Sequence, residues 1–524
     1  MPEPATDAAA DERAPARLED VDVLVVGAGL SGIGAACHLA MKRPQDRVVV
    51  LEARGDLGGT WDLFRYPGIR SDSDMFTLGF GFAPWEGERS IAAGADILAY
   101  LRETAREHGV DRLIRYRRRV VALAWDSDRS RWVADVRDED TGELTRLTAH
   151  HVHSCTGYYR YDEGYTPQLP GRDRFTGTVV HPQDWPEDLE TLGRRFVVVG
   201  SGATAMTLVP ALARQVGPAG HVTMLQRSPS YVLSLPDRDP VASLLRRVLP
   251  PRRAYALVRW KNVLQSSMLY QASRRFPGLV RRVLRWRLAK QLPDHVPVDV
   301  HFRPTYDPWD QRLCLVPNGD LFRALRGGAA SIVTDHIDTF TEDGIRLRSG
   351  DHLDADVVVT ATGLNLLMMG GVRFTVDGAP VDLAETVAYK GTMLSGLPNF
   401  SFAVGYTNAS WTLKVDLAAD LLCRLRDHLD RTGNDQVWPQ PPDATQRLRP
   451  LIDLESGYVK RSLDQLPRQG EREPWRLFQN YVRDVRLFRH GPVDDEGVRF
   501  VRGPAGGHGV TRRDRPVRDG SVAS

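Results

Sequence analysis

VDVLVVGAGLSGIGAACHLA, residues Val21 to Ala40, decides the fold. Its first six residues are mostly apolar and read as a buried strand. Gly27, Gly29 and Gly32 follow in a GxGxxG turn, and the run beyond them reads as a helix. Glycines at these places let the backbone turn tightly and approach a pyrophosphate, whose charge sits at the helix N-terminus. The next strand, RVVVLE (Arg47 to Glu52), ends in an acid about 20 residues after the last glycine. A carboxylate there accepts hydrogen bonds from ribose hydroxyls and repels a 2′-phosphate. This unit therefore favours FAD or NAD over NADP.

The pattern recurs. FVVVGSGATAMTLVPALA starts at Phe196 and puts Gly200, Gly202 and Ala205 in the three small-residue places, with Thr204 in the same turn. After its next strand, HVTMLQR, Arg227 stands where an acid would select NAD. A guanidinium there pairs bidentately with a 2′-phosphate, so this unit prefers NADPH. Two such sites in one chain imply a flavin oxidoreductase, in which hydride leaves NADPH and reduces the flavin. The four cysteines, Cys37, Cys155, Cys314 and Cys423, lie far apart. A disulfide reductase would carry a close pair, so O2 is the remaining simple oxidant.

The fold expected is α/β, with two Rossmann-like dinucleotide-binding domains and the NADPH domain inserted into a discontinuous FAD domain. Residues 1–19 are rich in Ala, Pro and acids and read as a disordered extension. Residues 20–160 form the first part of the FAD domain, 161–190 a linker, and 191–340 the NADPH domain. The chain returns to the FAD domain over 341–501, and 502–524 read as a disordered tail. Within the NADPH domain, 237–300 read as a helical insert, broken at Pro250–Pro251 and at Pro277. Its stretch Val241 to Lys290 is full of Arg, Leu, Val and aromatics and has no acid. One reading packs this insert on the NADPH domain, with Trp260, Tyr270, Phe276 and Trp286 lining an apolar substrate entrance. The other, less favoured, makes it a basic amphipathic surface that touches anionic membrane.

A formal net charge of +2 over 524 residues gives no global attraction to nucleic acid. The N-terminus lacks a signal-peptide pattern, and no stretch approaches about 18 uninterrupted apolar residues, so a cytoplasmic protein without a membrane span is expected. Oligomeric state is not legible. His150, His151 and His153 resemble a metal cluster, and strand alternation puts His151 and His153 on one face. No Asp, Glu or Cys at ligand spacing accompanies them, so no metal is expected.

The 161–190 linker carries FTGTVVHPQDWP. Its Phe175, Gly177, His181, Trp185 and Pro186 fit FxGxxxHxxxWP, which resembles the fingerprint of class B flavoprotein Baeyer–Villiger monooxygenases. GGTWDLFRYPGIRSD (Gly58 to Asp72) and DVVVTATG (Asp356 to Gly363) resemble two further motifs of that family. RYPGIRSDSDMFTLGF, YRYDEGYTP, PWDQRLCLVPNGDLFRA, ATGLNL and VGYTNASWTLK are similar to its actinobacterial, ethionamide-activating subgroup. The likeness runs from about Val21 to Val501. It implies FAD and NADPH as cofactors, O2 as co-substrate, and a C4a-peroxyflavin that attacks a ketone carbonyl to give an ester or lactone. A fixed cation should steady that anion. The resemblance puts it at Arg312, oriented by Asp72, and puts Gly58, Gly59, Thr60 and Trp61 along the flavin. It also aims the helix after GYTNASW at the flavin, with Asn408 or Ser410 as its cap. His181 and Trp185 are expected to fix the angle between the two domains. The runner-up activity is oxygenation of sulfur or nitrogen, for which a thioether is the test substrate. A third reading is a flavin-binding protein or NADPH oxidase that oxygenates nothing.

Overall fold

The structure, a computed structural model, describes residues 18–452 and 456–503. The two terminal stretches read above as disordered lie, but for their innermost residues, outside this range. Glu19–Val26 is a strand whose Val23, Leu24 and Val25 are fully buried. It runs parallel to Val48–Leu51 on one side and to Leu144–Ser154 on the other. Gly27 ends it with φ +101°, and a Cβ there would lie 2.7 Å from the Cys155 carbonyl oxygen. Only glycine makes that turn without displacing the neighbouring strand end. The helix Leu30–Lys42 follows and is buried over most of its length. Among the described residues this first sheet has nine strands, and its antiparallel half joins Arg118–Asp126, Arg131–Asp138 and Leu144–Ser154.

The second sheet has five described strands, all parallel. Their order is Ala330–Thr334, His221–Gln226, Arg195–Val199, Val357–Thr360 and Thr178–Val180. Helix Ala203–Gln215 covers it through Met206, Leu208, Val209 and Leu212. Two boundaries therefore differ from the sequence reading. Val357–Thr360, drawn into the returning FAD part, is an inner strand of the second sheet. Thr178–Val180, drawn as linker, is that sheet's edge strand. VVVT is apolar on both faces and fits the middle of either parallel sheet, so the sequence alone does not choose between them. TVV is too short to register as a strand without its partner.

The chain passes between the two sheets twice. Tyr159–Gly164 leaves the first and Leu364–Leu366 comes back, and these two segments pair antiparallel.

The insert forms helices Pro240–Val248, Pro251–Arg275 and Pro277–Ala289, then a short turn Val298–His301. Three of its prolines open helices, where no intrahelical N–H bond is lost. The insert packs on both domains. Tyr255 and Val258 enter the first core, while Leu288 enters the second. Arg259 is buried and donates to the Phe76 and Gly79 carbonyls and to Asp416. Trp260, Phe276 and Trp286 face solvent and do not line an enclosed entrance, and Tyr270 packs edge-on against Trp309.

Candidate functional site

The first glycine loop meets the GGTWDL turn. Gly29 bridges Gly58, and a Cβ on Gly59, whose φ is +56°, would lie 3.0 Å from the Gly29 Cα. The two backbones touch because neither residue has a side chain. Gly29 is the N-cap of Leu30–Lys42, and no described side chain caps that helix. Its first-turn N–H groups are left for a bound phosphate. Glu52 is 6% exposed and already accepts from the Ala28 N–H at 2.6 Å and the Arg54 N–H at 2.8 Å. Desolvation raises its pKa, against the pull of those two N–H donors. Each oxygen keeps a lone pair for a ribose hydroxyl. Thr60 bonds the Tyr161 hydroxyl at 3.1 Å, while Trp61 is half-buried against the first core.

The second loop is built alike but more open. Gly202 caps Ala203–Gln215 without a side-chain cap among the described residues, and nothing lies within 4 Å of where its Cβ would be. Gly200 has φ +145°, Ala205 is buried and Thr204 is half-buried. Arg227 is exposed and forms no ion pair among the described residues, so its guanidinium is available to a 2′-phosphate.

Between the loops lies the stretch Gly58–Asp72. Its Phe64 and Tyr66 join the core of the second domain, and Arg70 pairs with Asp320 at 2.6 Å. This pins the loop's end and leaves Asp72 facing Arg312. The Arg312 Nη1 lies 2.8 Å from the Asp72 carboxylate, across 240 residues of sequence, and its Nε donates to the Thr407 carbonyl. Asp72 raises the guanidinium's pKa further, against desolvation, so it is a permanent cation. Its side chain keeps 37% exposure and opens into a recess lined by Tyr158, Trp411, Leu451, Tyr458, Leu477 and Gln479.

Several of these wall residues carry no recognisable spacing signal. Tyr158 and Tyr159 follow the first sheet's strand end, with ring centres 4.5 Å apart, and Tyr158 packs on Trp411 at 5.1 Å. The Trp411 indole donates to Ser31 in the first glycine loop at 2.9 Å. This fixes the start of helix Trp411–Thr432 beside that loop. Burial raises the pKa values of Tyr158, Tyr159 and Tyr458, so their hydroxyls remain donors at neutral pH. Ser410 occupies the N-cap position of Trp411–Thr432 but makes no cap bond; its hydroxyl pairs with Thr77 at 2.6 Å instead. Asn408 bonds the Gln479 carbonyl. Neither side chain caps, and among the described residues no side chain bonds the first-turn N–H groups.

The fingerprint strip touches the interdomain crossings. The His181 Nε2 donates to the Gly363 carbonyl at 3.1 Å, and its Nδ1 accepts from the Gln183 N–H at 3.1 Å. Desolvation lowers its pKa, so the ring is neutral. It lies on Gly164, where a Cβ would fall 1.9 Å from its Cε1. The Gln183 side chain bonds the carbonyls of Arg160 and Tyr161. Trp185 packs on the second core, and buried Phe175 meets Phe340 edge-on. Gly177 sits against Asp356, with no room for a side chain. His151 and His153 both bond the Ser401 hydroxyl, and His150 bonds the Asp435 carbonyl and Arg426.

A family model described as NAD(P)-binding Rossmann-like domain matches residues 25–85, and one described as flavin-binding monooxygenase-like matches 90–366. The chain is 53% identical over 487 residues to "FAD-containing monooxygenase EthA" of Mycobacterium tuberculosis (strain ATCC 25618 / H37Rv), covering 93% of this chain and 99% of that one. It is 46% identical over 482 residues to "Probable FAD-binding monooxygenase AlmA" of Acinetobacter baylyi (strain ATCC 33305 / BD413 / ADP1), covering 92% and 96%. Among solved structures, an oxidised steroid monooxygenase bound to NADP superposes with TM-score 0.72 at 22% identity, covering 92% of this chain and all of that one. An ε-caprolactone-bound cyclohexanone monooxygenase superposes with TM-score 0.70 at 19% identity, with coverages of 92% and 100%. At those identities the likeness concerns the fold.

Proposed function

The chain belongs to the flavin-binding monooxygenase-like family and is an FAD-containing monooxygenase with an NAD(P)-binding domain; from that premise we propose that it inserts one atom of O2 beside a ketone carbonyl, giving an ester or lactone. The observation that carries this reading is the Arg312–Asp72 pair at the mouth of an aromatic recess, beside the first glycine loop. Bound FAD, reduced by NADPH, supplies the activation of O2. The residues of the chain do the rest. The glycine loops bind two pyrophosphates, Glu52 takes ribose hydroxyls, and Arg227 takes the 2′-phosphate.

Arg312 offers a cation held in place by two acceptors. Negative charge that develops on oxygen is stabilised there without reorganisation. Asp72 and the Thr407 carbonyl orient the guanidinium at the wall of the recess. The hydroxyls of Tyr158 and Tyr458 are donors for a substrate carbonyl. Trp411, Leu451 and Leu477 form the apolar part of the wall beside the partly exposed guanidinium.

Oxygenation of sulfur by the same site needs no fixed cation, since a thioether attacks a protonated oxidant directly. Mass analysis of products from a ketone and from a thioether, each with NADPH, separates the two. An ester from the ketone supports the proposal. A sulfoxide with no ester would replace it.

A further inference from the structure

Residues Val241–Lys290 contain thirteen Lys and Arg and no Asp or Glu. Taking those thirteen from the net +2 of the whole chain leaves −11 on the other 474 residues. Positive charge is therefore concentrated on this insert. Carboxylates outside Val241–Lys290, among them Asp239 and Asp299 at the ends of the insert, pair with Arg259, Lys261, Arg274, Arg281 and Arg285. Arg247, Arg252, Arg253, Arg275, Arg282 and Arg287 are exposed and form no ion pair among the described residues.

The same helices expose apolar stripes. On Pro251–Arg275, Ala254, Tyr255 and Val258 face the core, while Leu257, Trp260, Leu264 and Met268 are 53%, 42%, 48% and 65% exposed. Their spacing of three, four and four residues puts them on one face. Val241, Leu244 and Val248 repeat the pattern on Pro240–Val248, as do Leu279, Val283 and Trp286 on Pro277–Ala289. Exposed Phe276 joins the second and third helices. Basic groups cover the rings: the Lys290 Nζ lies 3.8 Å from the Trp286 ring centre, and the Arg275 guanidinium 5.8 Å from that of Phe276. Apolar surface of this extent, flanked by basic groups, marks an interaction site. Among the described residues no helix is long and apolar enough to cross a membrane.

We propose that helices Pro240–Val248, Pro251–Arg275 and Pro277–Ala289 dock this face on the surface of an anionic lipid bilayer. The apolar stripes enter the acyl boundary and the arginines meet headgroup phosphates. The net negative charge of the rest of the chain turns that part away from the surface, so one orientation is selected. A symmetric pairing of two copies through this face would bring the two basic inserts together, which like-charge repulsion opposes.

The test uses the full chain and sedimentation with vesicles of phosphatidylcholine alone or with about 30% phosphatidylglycerol, at roughly 50 and 500 mM salt. The protein should pellet with the anionic vesicles at low salt, stay in solution with neutral ones, and be released by high salt. Arg282→Gln should weaken binding about fivefold, and Leu264→Gln should weaken it while FAD content and NADPH oxidation stay at wild-type values. Equal binding to neutral vesicles, no binding to anionic ones, or wild-type binding by both variants would overturn the proposal. So would a concentration-dependent dimer in analytical ultracentrifugation that Leu264→Gln dissolves in the absence of vesicle binding, because that assigns the face to a second copy.

Discussion

Replacing His181 with alanine removes the ring that joins the fingerprint strip to both interdomain crossings. The Gly363 carbonyl loses one partner but still accepts from the Tyr165 N–H at 3.1 Å. The Gln183 N–H loses the His181 Nδ1 in a residue only 4% exposed. One net hydrogen bond and one orphaned buried donor together cost about 2–4 kcal/mol. That cost falls locally, on segments Tyr159–Gly164 and Leu364–Leu366, so the crossings should open about 30- to 1,000-fold more often. The Gly27–Gly32 loop is held by its own strand and helix, and the Thr60–Tyr161 hydroxyl bond that links the adjoining GGTWDL turn to this region does not involve His181, so FAD should stay bound. Amide hydrogen exchange over residues 159–166 and 364–366 reads the opening. The ratio of peroxide released to product formed reads its effect on turnover, since both domains contribute walls to the site. Gly164→Ala presses on the same ring from the other side and should give the same pattern. Acid should mimic it. His181 has a lowered pKa in the fold, so its stabilising contribution is complete above the ordinary histidine value of about 6.5 and is lost as pH falls below it. Wild-type exchange in these segments together with wild-type coupling in His181→Ala would refute this reasoning.

Three further outcomes follow from the geometry. Arg227→Ala should raise the KM for NADPH about 10- to 100-fold, the loss of one charge-assisted pair, and leave that for NADH nearly unchanged; an equal effect on both would remove its 2′-phosphate role. Asp72→Asn should shift thermal stability by less than about 1 kcal/mol, because the pair is more than a third exposed, yet lower ester yield per NADPH at least about tenfold; product yield that follows stability would contradict this. Burial pulls the pKa of His153 down to about 4, so at pH 5 it should cost about 2 kcal/mol relative to neutral pH. Denaturant melts at pH 7.5 and 5 should show that difference against His153→Asn, and parallel pH dependence would show that the ring is not held neutral.

Much of this architecture is legible in the sequence, for identifiable reasons. Both glycine turns follow strands that end in apolar runs, and the turn geometry is local, so Gly27, Gly29, Gly200 and Gly202 stand where short-range rules put them. Arg312 and Asp72 are different. No spacing rule joins residues 240 apart, and only the resemblance of their surrounding motifs pairs them. The strand Val357–Thr360 reads equally well in either sheet, because an apolar run does not say which parallel partner it takes. Ser410 has the right residue type and position for a cap, but the Thr77 hydroxyl competes for it. On helix Pro251–Arg275 apolar residues recur on two faces. Periodicity therefore does not tell that Tyr255 and Val258 turn inward while Leu264 and Met268 turn outward. Tyr158, Trp411 and Tyr458 become a single recess wall only once distant segments meet, so no local pattern announces them.

The most direct measurement is a turnover with NADPH, a ketone and 18O2, run on the wild type and on Arg312→Ala. The wild type should give an ester or lactone carrying one 18O atom, while Arg312→Ala should reduce its flavin at the wild-type rate and release peroxide without oxygenated product. Labelled ester from Arg312→Ala at the wild-type rate, or no labelled product from the wild type across a ketone panel, would contradict the account.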